Sequence, residues 1–100
     1  MDWTAETSDG QTLRGSDDGA GSDALILLHG LSQQRHFWDP VCAYLQASRI
    51  IRLDQRGHGL SNTPAEVDYS IDRCALDAME AMDALGVTTA TVIGHSWGGA

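Results

Sequence analysis

The chain contains three short apolar runs, separated by segments of helical periodicity and by polar loops. Residues 24–29, "ALILLH", are apolar without alternation, a pattern typical of a strand buried on both faces of a parallel sheet covered by helices. Residues 50–54, "IIRLD", predict a second strand. The β-branched residues 89–93, "TATVI", predict a third that runs directly into Gly94.

Two further strands are predicted at the start of the chain, over residues 3–8 and 11–15, on either side of Asp9-Gly10. Asp-Gly between strand-like runs favours a tight hairpin, because both turn positions need a positive φ. The polar, glycine-rich residues 15–23, "GSDDGAGSD", predict a flexible connector between this hairpin and the first apolar run.

The first predicted helix begins near Asp39, which can cap it, and Pro40 fits the first helical position, where no N–H is needed. Its apolar stripe is modest and consists of Val41, Tyr44 and Leu45. After the strand at 50–54, residues 55–69 contain several glycine, proline and asparagine breakers and predict a loop.

The second predicted helix covers residues 71–85. Ser70 can cap its start, and Gly86 can end it in the left-handed conformation. Its apolar residues recur at intervals of three and four, which places them on one helical face. They lie at positions 71, 74, 75, 78, 79, 82 and 85.

The resulting order of elements is hairpin, strand, helix, strand, helix, strand and turn. Strands that alternate with helices predict parallel pairing through right-handed crossovers. We therefore expect an α/β fold with a mostly parallel sheet, an initial antiparallel hairpin and flanking helices. The sequence contains no internal repeat.

Composition and charge exclude some classes of partner. The 100 residues carry a net charge of −8, and all six basic residues are arginine. This balance disfavours nucleic acid and anionic membrane surfaces, both of which require a basic face. We expect no signal peptide and no membrane span, because no suitable apolar run is present, and hence a cytoplasmic protein. Cys42 and Cys74 fall on predicted helix faces and are expected to be free thiols.

The candidate chemistry lies at the predicted carboxyl ends of three strands, which should converge on one rim of the sheet. These segments are residues 29–31, residues 54–59 and residues 94–98, and the last has the pattern G-x-S-x-G. A strand that turns at once into a helix would project the Ser96 side chain outward and requires small residues at Gly94 and Gly98. The alternative is a tight strand–helix turn without a catalytic role. The glycine spacing excludes a dinucleotide fingerprint, and the lack of lysine excludes a P-loop.

The chain resembles the amino-terminal half of an α/β-hydrolase-fold enzyme. The resemblance is carried by the motifs "LLHGLSQQRHFW", "RLDQRGHGLS" and "VIGHSWGGA", in the order in which the family has them. It implies an incomplete domain over residues 1–100, from the hairpin to the nucleophile turn, with no second domain. It also implies that Ser96 is the nucleophile and that the backbone N–H groups of Leu31 and Trp97 bind the oxyanion.

The resemblance assigns further residues to the surroundings of this site. Asp54 and Arg56 are expected to brace the loop after their strand. His36 is expected near the pocket wall, on a surface-prone loop. The remaining residues expected to line or support the pocket are His29, Gly30, Phe37, Trp38 and His95. No metal ion and no organic cofactor are implied.

The resemblance also implies a function. Serine at position 96 disfavours the related dehalogenases and epoxide hydrolases, which use aspartate there. It favours a serine hydrolase acting on a small-molecule ester, thioester, amide or related acyl substrate. Carbon–carbon bond hydrolysis and cofactor-free perhydrolysis on the same fold stay open. The sequence does not specify an oligomeric state.

A serine nucleophile needs a histidine base and a carboxylate, which in this family follow the nucleophile in the chain. His29, His36, His58 and His95 all precede Ser96, and we expect none of them to act as the base. The sequence therefore predicts either a truncated hydrolase without the acid and histidine of its triad, or an inactive remnant that serves as an interaction fragment.

Overall fold

A computed structural model describes residues 1–19, 21, 23–30, 33–42, 44–45, 49–61 and 69–95. Five strands form one mixed sheet in the order β1-β2-β4-β3-β5. Their bounds are Asp2–Glu6 (β1), Thr12–Gly19 (β2), Asp23–Leu28 (β3), Arg49–Asp54 (β4) and Thr89–Gly94 (β5). A 3₁₀ turn at Arg35–Trp38 leads into the short helix α1, Asp39–Cys42, and the longer helix α2 spans Ile71–Ala84.

The pairing of the strands confirms the expected α/β arrangement. β1 and β2 form an antiparallel hairpin, and β3 is parallel to both β4 and β5. The three apolar runs of the sequence are thus adjacent strands, with β3 between the other two. Strand β5 is an edge strand of the sheet, and the Val92 side chain on it is half exposed. Within the described residues, no helix is long and apolar enough to cross a membrane.

The two faces of β3 pack against different layers. Ala24, Ile26 and Leu28 belong to the core cluster shared with α2, whereas Leu25 and Leu27 face the cluster that contains Trp38. Burial of each aliphatic side chain contributes about 1.5–3 kcal/mol relative to an exposed one. An uninterrupted apolar strand fits this position, because both of its faces pack against apolar clusters.

The prediction of a flexible connector over residues 15–23 is wrong, because most of this segment belongs to strand β2. Residues 14–19 pair with 49–54 of β4 in antiparallel register. Gly15 allows close contact, since a Cβ there would lie 2.4 Å from the Trp3 ring. Asp17 pairs with Arg49 at 2.7 Å. The segment lacks an apolar signal because arginines of the neighbouring strand neutralise its acidic side chains.

The hairpin itself is confirmed, but its turn is longer than expected. Glu6 pairs with Thr12, so residues 7–11 form the connection. The N–H of Gly10 donates to the carbonyl of Thr7 at 3.0 Å, and Gly10 has φ +83°. The side chain of Asp9 turns inward to Arg56, an interaction that a two-residue hairpin turn does not predict.

Helix α1 begins at Asp39, near its predicted start, but a 3₁₀ turn at Arg35–Trp38 precedes it, and α1 ends at Cys42, before Tyr44 and Leu45 of the predicted stripe. Gln34, rather than Asp39, caps the 3₁₀ turn, and Asp39 has helical dihedral angles. The Asp39 carboxylate instead pairs with His36 and Arg52. The proposed apolar stripe is wrong at Tyr44, which is 84% exposed.

Helix α2 agrees closely with its predicted bounds and caps. The Ser70 hydroxyl accepts a hydrogen bond from the Arg73 N–H at 3.2 Å, and Gly86 has φ +72°. The buried face is rotated from the expected one, because Ile71 and Met79 are exposed while Asp77 is buried. Hydrophobic periodicity treats a carboxylate as polar and therefore misses a carboxylate buried by an ion pair.

Candidate active site

The carboxyl ends of β3, β4 and β5 lie side by side, as the sequence predicts. Leu28 is paired with Leu53 on one side and with Gly94 on the other. The His95 N–H donates to the Leu28 carbonyl at 3.0 Å and continues the ladder past the end of β5. The segments that begin at His29, Asp54 and Gly94 consequently meet on one rim, where open parallel sheets bind their ligands.

His29 is fully buried at this rim and forms hydrogen bonds through both ring nitrogens. Its Nε2 accepts from the Gln55 N–H at 3.0 Å, and its Nδ1 lies 2.8 Å from the Gly30 carbonyl oxygen. The Gln55 side chain returns a hydrogen bond to the His29 carbonyl at 2.7 Å. Burial lowers the pKa of the His29 imidazole below its usual value, so the neutral ring is favoured.

Gly30 follows His29 and is packed against the segment that leads to position 96. A Cβ at Gly30 would lie 3.1 Å from the His95 carbonyl oxygen and 2.9 Å from Gln33 Oε1. The Gly30 N–H donates to Gln33 Oε1 at 2.8 Å. A larger residue would push apart the ends of β3 and β5, which explains the glycine in the His-Gly pair.

His95 extends this contact to the 3₁₀ turn. Its ring lies 4.7 Å from that of Phe37, measured between centroids. Its Nδ1 lies 3.2 Å from Gln33 Oε1, the same oxygen that binds Gly30. Because that oxygen only accepts hydrogen bonds, Nδ1 of His95 is the donor. Phe37 and His95 thus form an aromatic surface beside Gly30.

Asp54 organises the loop that follows β4, as expected. Its carboxylate accepts from the backbone N–H of Arg35 at 2.7 Å and of Leu60 at 3.0 Å, and it pairs with the Arg35 guanidinium. Gly59, at φ +52°, lies against this carboxylate, since a Cβ there would be 2.3 Å from Asp54 Cγ. The Ser61 hydroxyl donates to the Asp54 carbonyl at 2.6 Å. The D-x-R-G-x-G-x-S pattern is therefore the sequence of a closed loop.

Arg56 points away from the rim and connects the loop to the hairpin and α2. It contacts Asp9 and Asp77 through its guanidinium nitrogens, at distances between 2.6 and 2.9 Å. Hydrogen bonds to these two carboxylates raise the pKa of Arg56, and the same contact holds the pKa of Asp9 well below its usual range. Arg56 thus has the bracing role expected of it.

An open cleft of about 400 Å³ lies between the 3₁₀ turn and the loop after β4. Arg35 lines it, and the buried Nε of this arginine has no hydrogen-bond partner in the described part of the chain. The other lining residues are Gln34, His36, Asp54, Gly59 and Leu60. Across the described ranges, no group of three histidine, cysteine or acidic side chains could hold a metal ion.

The residues expected at the site are distributed unevenly. His29, Gly30, Phe37 and His95 come together at the rim. Trp38 is buried in the cluster with Leu27 and Ile50, on the other side of β3 from the α2 cluster. Leu31, Ser96 and Trp97 lie outside the described residues.

The other histidines occupy separate positions. The His58 ring lies 5.0 Å from that of His29, and its Nδ1 lies 3.0 Å from the Arg56 carbonyl oxygen. His36 is half exposed and pairs with Asp39 at 2.9 Å. Cys42 and Cys74 are not joined in a disulfide, and Cys74 is buried, in agreement with the sequence analysis.

Sequence reasoning missed two glutamines, Gln33 and Gln55. Both lie in polar loops, where glutamine is common and carries no signal of its own. Gln55 sits between Asp54 and Arg56, two positions that were identified, but its partner His29 is 26 residues away in the chain. Only the pairing of β3 with β4 shows that the two residues meet.

A mixed sheet whose parallel strands end together at one rim is the architecture of open α/β proteins, which bind their ligands at that rim. The model of the α/β hydrolase fold family matches residues 23–100, and the chain belongs to this family. The five strands correspond to the amino-terminal part of that fold.

Individual relatives are hydrolases of several kinds. Over 79% of its length the chain is 33% identical to epoxide hydrolase 4 of Mus musculus, of which it covers 23%. Over 80% of its length it is 38% identical to RutD of Caulobacter segnis, named as a candidate carbamate hydrolase, of which it covers 31%. An esterase structure from Exiguobacterium antarcticum superposes with a TM-score of 0.89 at 30% identity, over 99% of this chain and 37% of that one. The chain thus spans between about a quarter and about a third of these relatives.

Proposed function

We propose that the protein containing this chain is a serine hydrolase that acts on a small-molecule ester, thioester, amide or related acyl substrate. Ser96 Oγ attacks the carbonyl carbon, and the N–H groups of Leu31 and Trp97 bind the resulting oxyanion. A histidine base takes the Ser96 proton and gives it to the leaving group as the bond to that group breaks, and water then hydrolyses the acyl-enzyme.

The observation that carries this proposal is the close approach of Gly30 to His95 at the joined ends of β3 and β5. Gly30 immediately precedes the proposed oxyanion donor, and His95 immediately precedes the proposed nucleophile. The described neighbours of the two proposed positions thus lie at adjacent strand ends, which supports a common site. One carbonyl group needs both a nucleophile and an oxyanion donor within about 3 Å.

Serine at position 96 favours acyl transfer over epoxide opening, although epoxide hydrolases are among the relatives. Attack of a serine oxygen on an epoxide carbon would form an ether, which water does not cleave under enzymatic conditions. Attack on an acyl carbon forms an ester, which water does cleave. The relatives named as an esterase and as a candidate carbamate hydrolase act at carbonyl groups, in keeping with this chemistry.

The histidine base and the acid of the triad are proposed to be residues after position 100. In the family that the chain resembles, these groups follow the nucleophile in the sequence. The chain covers 37% of the esterase with which it superposes. His29 is already bonded through both nitrogens, so it does not supply a free base. The 100 residues alone are expected to show no turnover above background.

A fluorophosphonate probe tests the proposal on the full-length protein. We expect rapid labelling that Ser96→Ala abolishes and that Ser8→Ala, a matched change in the hairpin turn, leaves intact. Hydrolysis of p-nitrophenyl acetate should follow the same pattern. Absence of labelling would favour a non-catalytic interaction fragment, and labelling that survives Ser96→Ala would contradict Ser96 as the nucleophile. Turnover of styrene oxide without turnover of the ester would contradict the acyl substrate class.

A further inference from the structure

A second cavity, of about 260 Å³, lies between the hairpin and the 3₁₀ turn. Arg35 and Leu60 line both this cavity and the cleft described above. Because β1 and β2 are at the opposite end of the sheet from β5, the cavity is separate from the place where Gly30 and His95 meet. We call it the hairpin cavity, and its other lining residues are Asp2, Trp3, Thr4, Arg14 and Gly15.

Two arginines border the hairpin cavity from the same face of the sheet. Arg14 lies directly opposite Thr4 on one side and Asp54 on the other, and side chains that lie opposite each other in antiparallel strands share a face. The Asp54 carboxylate pairs with the guanidinium of Arg35. The 3₁₀ turn therefore places Arg35 on the face to which Arg14 also belongs.

Arg14 carries a positive charge that no carboxylate compensates. All six arginines lie in the described ranges, and there Arg14 alone has no ion pair, although the chain has 14 acidic residues. The neighbouring Asp54 is almost fully buried. It already accepts hydrogen bonds from Arg35 and from the N–H of Leu60. Arg14 is thus left for a partner from outside these residues.

Arg35 has a donor to spare beside Arg14. Its side chain is 6% exposed and uses Nη1 for Asp54. Its Nη2 lies 3.7 Å from the Asp2 carboxylate, beyond hydrogen-bond distance, and Asp2 is 77% exposed. Its buried Nε has no acceptor in the described part of the chain. A buried donor without an acceptor is unfavourable, and a ligand oxygen in the cavity would give this guanidinium a further acceptor.

We propose that the hairpin cavity binds the carboxylate of a small organic acid between Arg14 and Arg35, with the apolar body of the acid on Leu60. A carboxylate is planar, so it matches the paired N–H groups of a guanidinium, and its single charge matches the one uncompensated arginine. A phosphate group carries close to two negative charges at pH 7, and the nearby Asp2 would repel the second. The inference is independent of the function proposed for Ser96.

Benzoate tests the inference in a titration of the full-length protein, followed by NMR of the arginine Nε–H groups. We expect saturable binding that shifts the Arg35 signal. Arg14→Gln should weaken binding at least about tenfold, because it removes a charge-assisted pair of hydrogen bonds. Asp2→Asn should strengthen binding about threefold, because it removes a competing carboxylate. Asp23→Asn, the matched loss of an exposed carboxylate outside the cavity, should change the affinity less than twofold.

The neutral analogue benzamide should not bind. The absence of saturable benzoate binding to the wild-type protein would overturn the inference. Benzoate affinity that Arg14→Gln leaves unchanged would also overturn it, because the ligand would then occupy another site, such as the candidate active site. Inorganic phosphate that binds more tightly than benzoate would exclude the carboxylate class. None of these results depends on whether a fluorophosphonate labels Ser96, so the inference and the proposed function fail separately.

Discussion

The guanidinium of Arg56 meets the carboxylate of Asp77 through two parallel hydrogen bonds, at 2.6 Å from Nε and 2.8 Å from Nη2. Both side chains are almost fully buried. Arg73, one turn earlier on α2, donates to the same carboxylate at 3.0 Å, and Asp9 completes the pairing of Arg56. This charged cluster joins the hairpin, the loop after β4 and helix α2 on the face of the sheet that α2 covers.

Asp77→Asn is expected to destabilise the protein strongly, because it removes a buried charge between two arginines. Loss of one partner in a buried ion pair typically costs on the order of 3 kcal/mol. Asp83→Asn is the matched control on the exposed side of the same helix, and its effect should stay within about 0.5 kcal/mol. Urea denaturation near pH 7 measures both, and equal midpoints would contradict a stabilising role for the cluster.

Gly59→Ala should cost more than Gly10→Ala, although both glycines have a positive φ. A left-handed conformation costs alanine about 1–2 kcal/mol at either position. At Gly59 the added Cβ would also lie 2.3 Å from the Asp54 carboxyl carbon, whereas at Gly10 it meets nothing within 4 Å. Overpacking of this kind adds about 1–3 kcal/mol. The comparison is made by chemical denaturation, and a smaller loss for Gly59→Ala would disprove the tight loop.

Gly15→Ala tests whether the polar residues after the hairpin form a packed strand. The added Cβ would lie 2.2 Å from the Arg52 carbonyl oxygen and 2.4 Å from the Trp3 ring. We expect a loss of about 1–3 kcal/mol from overpacking and a change in tryptophan fluorescence. Arg14→Ala, at an exposed neighbouring position of β2, should have little effect on either signal. A flexible connector at this position would tolerate both changes equally.

Acid should weaken the contact between His29 and Gln55. Burial lowers the pKa of His29 below 6.5, with the His58 ring acting in the same direction and the Gly30 carbonyl and Asp54 carboxylate opposing it. Because the folded pKa is the lower one, the contribution is complete above the unfolded pKa and is lost as pH falls toward the folded value. One histidine changes the free energy of unfolding by at most about 1.4 kcal/mol per pH unit.

The measurement is the urea midpoint of wild type at about pH 7.5 and at about pH 5.5. His29→Gln, which has no titrating group at this position, should show a smaller difference between the two values. His58 and Asp54 are present in both proteins. The difference in pH dependence between wild type and His29→Gln therefore reports on His29. An identical pH dependence in the two proteins would show that His29 does not couple its protonation to folding.

The order of strands and helices, and the identity of the strand-end motifs, followed from the sequence alone. The runs at 24–29, 50–54 and 89–93 and the periodicity of 71–85 are local signals, and a strand or helix needs only such signals to be recognised. The caps Ser70 and Gly86 are local in the same sense. The family resemblance added the role expected of Ser96, which stays a proposal.

Only the tertiary structure decided which polar residues meet. Strand β2 has no apolar signature because its acidic side chains meet arginines of β4, and Asp77 is buried because Arg56, 21 residues earlier, reaches it. Gln55 acquires its role from His29, which lies on the neighbouring strand and 26 residues away in the chain. Hydrophobicity is a property of each residue by itself, so an apolar pattern can be recognised from the sequence. Charge pairing and hydrogen bonding depend on the partner, which is chosen when the strands come together.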